Sequence, residues 1–336
     1  MIESYKDAND FLLKKGNELL KYGEKVETTN EKNEGTLKNA LYELSHQFFR
    51  IEDPRATIFD IDGFKTTPFW MTGELLTEFL NKNPPVMTKY AKEIVHQSYD
   101  IQPTGDIEYS YGARWKEWNQ ILNAYKILKD NPNSKRVLIS TWMPYDVDAN
   151  KNDVPCNINY MFLGRNNKLD MTATIRSNDF LRGTKYDYAL AGFMQQSMAS
   201  WTGMDVGNLY FSINSLHLYE KDKNKLEKIL ENQKYKPSPK LEIPKNVDIE
   251  TYWKDLRHIE KVENAAWHHA WEYVDKNIAD IEYPIFRDLS RIYAIRNSNF
   301  HGRKDLFEKY KSDIELPEMK KWISQMHYNE KKEVNK

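Results

Sequence analysis

The stretch "PCNINYMFLGRNNKLDMTATIRSNDF", residues 155–180, decides the fold. An apolar run leads into "GRNNK", which reads as a tight turn. After it Leu169, Met171, Ala173 and Ile175 alternate with polar residues. This pattern predicts a β-hairpin over 158–177 with one face of its second arm buried. "KRVLIST" (135–141) and "NLYFSINSLHLYEK" (208–221) read as further strands on either side. Between hairpin and last strand, Leu190, Phe193, Met194, Met198 and Trp201 recur at helical spacing, on a helix apolar enough for the core.

Outward from there the pattern is helical. "GELLTEFLNK" (73–82) and "WKEWNQILNAYKILKDNPN" (115–133) carry helical apolar spacing, the second stopped by an Asn-Pro turn. Residues 1–50 read as amphipathic helix broken by "KVETTNEKNEG". The three prolines of 232–246 mark a surface connection, and 247–330 is helical, rich in Trp, Tyr and charge. No internal repeat is read along the chain. The predicted class is α+β with a central mixed sheet.

With 49 Lys and Arg against 50 Asp and Glu, the chain has no excess of positive charge for a generic polyanion, so no nucleic acid is expected as partner. One cysteine among 336 residues excludes an intrachain disulfide and fits a reducing cytosol. The charged, amphipathic start has no signal-peptide core, and no stretch reaches the length of a membrane span. A soluble cytoplasmic protein is expected. His268 and His269 are adjacent and point apart on a helix; with no HExxH or Cys-x-x-Cys, no metal is expected. P-loop, dinucleotide and G-x-S-x-G fingerprints are missing too.

Cys156 is the candidate nucleophile. A lone cysteine is commonly a small buried hydrophobe; as a nucleophile it needs nearby positive charge or a helix N-terminus. Arg176 and Ser177 follow twenty residues on, and Lys135 and Arg136 precede it by about as much. Arg–Ser at a strand end suits a phosphate, by a charged fork and a hydroxyl. His217 and Tyr219 lie on one face of a strand, and Glu74 sits on an apolar helix.

The order of these blocks is more specific than any one of them. "GELLTEFL", "YGARWKEW", "SKRVLISTW", "PCN", "RSNDFLRG" and "LHLY" together resemble the thymidylate synthase superfamily, over roughly residues 50–240. The resemblance implies a large twisted mixed sheet flanked by helices. It places a catalytic domain at 1–245, with the first fifty residues diverged, and a helical C-terminal extension at 246–336. It implies a homodimer through the sheet, a pyrimidine nucleotide 5′-monophosphate, and 5,10-methylenetetrahydrofolate as co-substrate. By the same resemblance Cys156 is the nucleophile. Arg176 and Ser177 bind the phosphate, Lys135 and Arg136 reach the phosphate of the other subunit, and Arg55 is a further phosphate arginine. His217 and Tyr219 hold the sugar, Asp179 and Gly183 face the folate, Glu74 organises proton transfer and water, and Tyr111 lies beside the nucleophile.

Departures from the family pattern carry information. The histidine after the nucleophile is Asn157, "Leu-Gly" is Arg182–Gly183, and the aspartate before "x-His-x-Tyr" is Ser215. The tryptophans upstream of Tyr111 are missing, and "Pro-Phe-Asn" has become Lys185–Tyr186–Asp187. In thymidylate-forming members that asparagine reads uracil with one donor and one acceptor. A carboxylate only accepts, which matches the N4 amino edge of cytosine and opposes uracil O4. Aspartate at this position is what the family's deoxycytidylate and cytidylate hydroxymethylases carry. A (d)CMP 5-hydroxymethylase is therefore expected, with dCMP slightly preferred over CMP. The competing readings are a thymidylate synthase or dUMP hydroxymethylase, and an inactive nucleotide- or RNA-binding homologue.

Overall fold

The structure is a computed structural model that describes residues 2–29, 38–80, 110–147 and 154–329. In chain order its elements are β1 (Glu3–Tyr5), α1 (Ala8–Tyr22), β2 (Glu24–Thr29), β3 (Lys38–Ile51), β4 (Asp60–Ile61), β5 (Phe64–Lys65), α2 (Pro68–Leu80), α3 (Tyr111–Glu117), α4 (Gln120–Asp130), β6 (Val137–Ser140), β7 (Asn157–Arg165), β8 (Lys168–Asp179), α5 (Thr184–Thr202), β9 (Asp205–Tyr219), α6 (Lys223–Leu230), α7 (Ile249–Trp267), α8 (Trp271–Ala279), α9 (Pro284–Phe300), α10 (Lys304–Ser312) and α11 (Pro317–Ile323). They form two compact units: Met1–Thr66 with Arg114–Lys240, and Thr67–Ala113 with Leu241–Lys336.

The first unit is built on a mixed sheet in the order β1-β3-β9-β8-β7-β6, with β2 also paired to β3. The α+β class and the hairpin are as the sequence predicts. Asn166 and Asn167 take φ of 50° and 59°, the paired left-handed conformation of a tight hairpin turn. β8 and β9 run parallel, which requires a crossover, and α5 provides it. α5 is buried on nearly all sides. Tyr188 stacks on Phe211 of β9 at 4.0 Å, and Gln195 ties the helix to the sheet by donating to Leu169 O and Asn208 O.

Along β8 the core-facing residues are Leu169, Met171, Ala173 and Ile175, then Asn178, with Phe180 just past its end; along β9 they are Leu209, Phe211 and Ile213, then Leu216 and Leu218. Both strands change side-chain parity at the same level, where Ser177 pairs with Ser215. β3 does so beside them: Phe49 and Ile51 face inward at one end, Leu44 opposite Leu216 at the other, with His46 at φ 52° between. This corrects the helix expected for residues 38–50. The parity change leaves Leu41, Leu44, Phe48 and Ile51 at spacings of three, four and three, which imitate a helix. The helix expected over 115–133 is also two: Asn119, at φ 50°, separates α3 from α4.

Among the described residues, the opposite face of the same sheet is uncovered and partly apolar. Leu138, Met161, Thr172 and Tyr210 are register neighbours across β6, β7, β8 and β9, and Phe48 stacks on Tyr210. Phe48, Leu138 and Met161 are each more than 40% exposed.

The second unit holds α2 and α7 to α11, and contrary to the reading above it contains a repeat. "DIEYP" (280–284) returns as "DIELP" (313–317), and Asp255, Leu256, Ile259, Asn264, Trp267 and His268 return thirty-three residues later as Asp288, Leu289, Ile292, Asn297, Phe300 and His301. Each copy is a helical hairpin, α7–α8 and α9–α10. The aspartates explain the repeat. Buried Asp255 accepts from Glu282 N and Tyr283 N, both at 3.0 Å; buried Asp288 accepts from Glu315 N and Leu316 N, both at 2.9 Å. Each caps the turn before the next helix. Replacing Asp255 by alanine strands two backbone N–H groups, so a loss of about 2–4 kcal/mol is expected in urea unfolding followed by helical circular dichroism. A loss under about 0.5 kcal/mol would refute the capping role.

Candidate active site

Most of the predicted residues lie on β8, β9 and the loop before β7, at the parity change. Cys156 is half-buried immediately before β7. Arg176, at the level of the change, folds back over it: Nε donates to Pro155 O and Nη2 to Val154 O, both at 2.9 Å. The same Nη2 stands 4.0 Å from Cys156 Sγ, and Arg176 N donates to Cys156 O. The guanidinium thus fixes the cysteine's backbone and sets positive charge beside its sulfur, the surroundings that favour a thiolate.

The strand start is held from below by "YGARWKEW". Buried Arg114 forks onto Asp146 and donates to Thr141 O. Trp115 Nε1 donates to Thr141 Oγ1 at 3.0 Å, and that hydroxyl donates to Asn157 Oδ1 at 2.8 Å. Asn157, which replaces the family's histidine, is therefore a structural link next to Cys156.

On β9, His217 and Tyr219 meet edge to face at 5.4 Å. Burial lowers the His217 imidazole below its ordinary range, against the pull of Asp179. Burial raises the Tyr219 phenol, helped by Asp179 and by Cys156. Asp179 accepts from Leu181 N and Arg182 N and pairs with Arg182 at 2.7 Å. Arg182 also bonds Asp222 and lies over the Tyr219 ring.

Sequence reasoning missed Glu43. It lies opposite His217 on β3 and accepts from the Ser215 hydroxyl, whose oxygen is 3.3 Å from His217 Nδ1. The carboxylate absent at position 215 thus arrives from the neighbouring strand. Only the assignment of residues 38–51 to a strand would have brought it into view.

Asp187 stands in the first turn of α5, where the helix dipole favours a negative charge. Its Oδ2 accepts from Asn178 Nδ2 at 2.7 Å. Gly183 leaves room for it, since a Cβ there would lie 3.0 Å from that oxygen.

Other residues are placed apart. Arg55 is forked onto Asp53, at 2.8 and 3.1 Å. Lys135 and Arg136 are exposed at the entry to β6 and line an open surface pocket with Asp130 and Ser134. Glu74 and Tyr111 belong to the second unit. Glu74 is half-buried on α2, and desolvation pushes its carboxyl up to about 7. The buried Tyr293 phenol of α9 is raised by burial, then by Glu263 and Glu74. The segment without the expected tryptophans, 95–109, lies outside the described residues. Among the described residues no three His, Cys, Asp or Glu are grouped to hold a metal, and no helix is long and apolar enough to cross a membrane.

The family model described as thymidylate synthase matches residues 65–266. The chain belongs to the thymidylate synthase family. Thymidylate synthases of Listeria monocytogenes and Listeria innocua are each 27% identical over 192 residues, 54% of this chain. The chain spans about 60% of the length of these curated relatives. Cys156, Arg176, Asp179, Asp187, His217 and Tyr219 all fall within the family match, and so do Glu74 and Tyr111; Arg55 and Glu43 precede it. α8, the whole second helical hairpin and α11 follow it.

Glu74 gives a pH test independent of any reaction. Its folded-state value lies above the ordinary carboxylate value. The stability it contributes is therefore present at low pH and is lost as pH rises through about 7. Glu74→Gln removes that dependence. The variant's Tm should gain on the wild type between about pH 5 and pH 8; a constant difference across that range would place the carboxyl at an ordinary value.

Proposed function

We propose that the protein is a (d)CMP 5-hydroxymethylase, which transfers a one-carbon unit to C5 of a cytosine nucleotide 5′-monophosphate and completes it with water. The observation that carries this reading is Asp187, a carboxylate where the family's uracil-reading amide stands, held by an amide that donates to it. A carboxylate accepts the N4–H of cytosine, and also N3–H when N3 is protonated; against uracil O4 it leaves two acceptors facing each other.

C5 of cytosine is not nucleophilic alone. Cys156 thiolate adds to C6 and makes C5 an enamine carbon. The negative charge of Asp187 offsets positive charge that builds at N3 and N4. 5,10-Methylenetetrahydrofolate supplies the carbon when bound, and Asp179, fixed by two backbone N–H groups, fits as an acceptor for its ring N–H groups. Loss of the C5 proton expels tetrahydrofolate and leaves an exocyclic methylene, to which water adds as the hydroxyl; by the family resemblance Glu74, poised near neutrality, organises that proton transfer and the water. Elimination of Cys156 restores the aromatic ring. Arg176 and Ser177 take the phosphate, while His217 and Tyr219 take the sugar, with dCMP preferred to CMP.

The names of the relatives favour a second reading, thymidylate synthase itself. One experiment separates the two. The protein is incubated with methylenetetrahydrofolate and each of CMP, dCMP, UMP and dUMP, while product mass and dihydrofolate absorbance are followed. A cytosine product heavier by one CH2O, without dihydrofolate, is expected. Asp187→Asn should move the cytosine-to-uracil ratio of kcat/KM by about 1.5–3 kcal/mol, roughly ten- to a hundredfold, toward uracil. A methylated uracil product with dihydrofolate would establish the second reading.

We also propose a homodimer through the uncovered sheet face, with Lys135 and Arg136 reaching the phosphate of the other subunit. An apolar patch that crosses strands is what such an interface needs. Met161→Asp should convert the dimer to monomer in sedimentation; an unchanged assembly would move the interface elsewhere.

A further inference from the structure

We propose that Asn178, locked by Thr184, sets the hydrogen-bonding polarity of position 187 and so acts as a specificity-determining positioning residue for the base. This rests on the reading of Asp187 as the base reader. The three residues form one relay, buried at Thr184 and Asn178 and half-buried at Asp187. Thr184 Oγ1 donates to Asn178 Oδ1 at 2.6 Å, its approach to Asp179 O being longer at 3.2 Å, and Asn178 Nδ2 donates to Asp187 Oδ2 at 2.7 Å. Asn178 is 1% exposed and Thr184 not at all, so both must keep their partners. A reversed Asn178 amide would set its carbonyl oxygen against the carboxylate. Reversal would also exchange the short Thr184 bond to Asn178 Oδ1 for the longer one to Asp179 O, a cost that holds whether residue 187 is Asp or Asn, so a donor faces residue 187.

That donor demands an acceptor. With aspartate, Oδ2 meets the demand and the other fork atom is an acceptor as well. With asparagine, Oδ1 must turn to Asn178, which sends the amide Nδ2 to the other side of the fork. The same relay thus makes position 187 an acceptor when it is Asp and a donor when it is Asn. Those are the polarities that cytosine N4 and uracil O4 require. Without the relay an amide at 187 can turn either way, and its identity no longer dictates one base. Gly183 belongs to the same arrangement, because a side chain there would crowd the oxygen that Asn178 holds.

The test is a double-mutant cycle on the full chain, read by calorimetric affinity for dCMP and dUMP and so independent of turnover. Asp187→Asn alone should shift the dCMP/dUMP ratio ten- to a hundredfold toward uracil. In an Asn178→Ala background the same substitution should shift it about five- to tenfold less, because coupled residues are non-additive. Thr184→Val should reproduce part of that loss, and Thr184→Ser should restore the relay. If Asn178→Ala fails to fold, Thr184→Val takes its place in the cycle. Equal shifts in both backgrounds would leave Asp187 as base reader and overturn the role of Asn178. A ratio unmoved by Asp187→Asn in either background, or a wild type that prefers neither base, would remove the base reading and the relay's role with it.

Discussion

The site depends on a change of side-chain parity that β3, β9 and β8 make together. Had β8 kept the parity of Leu169 to Ile175, Ser177 and Asp179 would point into the apolar core. Had β9 kept that of Leu209 to Ile213, so would Ser215, His217 and Tyr219. A lone strand cannot make this change inside a sheet without losing its ladder. Three neighbours changing at one level keep their register and turn a row of polar groups away from the core. The cost is local: His46 adopts a left-handed backbone, and Arg176 spends two donors on the carbonyls before Cys156. Those bonds also bring the guanidinium to the sulfur, so the distortion that exposes the polar row organises the proposed nucleophile.

Much of this was legible in the sequence, and what was not has identifiable causes. The hairpin, α5 and β9 follow from apolar alternation and helical spacing, because each buries one continuous face. β3 reads as helix because the parity change spoils its alternation and leaves apolar residues at helical intervals. Losing β3 also hid Glu43, whose meaning comes only from standing opposite His217. Asn119 divides a helix that its apolar spacing alone makes continuous. Of the candidate site, the order of the sequence blocks names Cys156, Arg176, Asp179, His217 and Tyr219, and the structure links them through contacts of charge and ring. Asn178 and Thr184 were not named. A buried amide and hydroxyl look like ordinary strand and helix residues until their partner at position 187 is seen.

The helical unit teaches a similar lesson on a larger scale. Its repeat is carried by few identical side chains, most of them apolar and unremarkable in a helix. The aspartates at 255 and 288 give it physical sense, since a buried carboxylate is stable there only when backbone N–H groups converge on it. For Asp288 burial still raises the carboxyl above its ordinary value, with the two N–H groups and Arg291 working in the other direction. Composition could announce helices in this region; only the recurrence of acid, turn and proline states how successive hairpins are joined.

The substitution that separates the proposed chemistry from its relatives is one atom in size. Asparagine and aspartate have the same shape, and the first turn of α5 accepts either. The helix dipole and the Asn178 donor favour the charged one. No rearrangement of the sheet, Cys156 or Arg176 is needed to pass from one to the other. On the proposed reading, a fold that fixes the donors around a fork-shaped side chain can exchange the base it reads while every other group keeps its place. The scaffold's rigidity is what makes so small a change decisive: where the surrounding amide is locked, the identity of residue 187 leaves only one polarity to present.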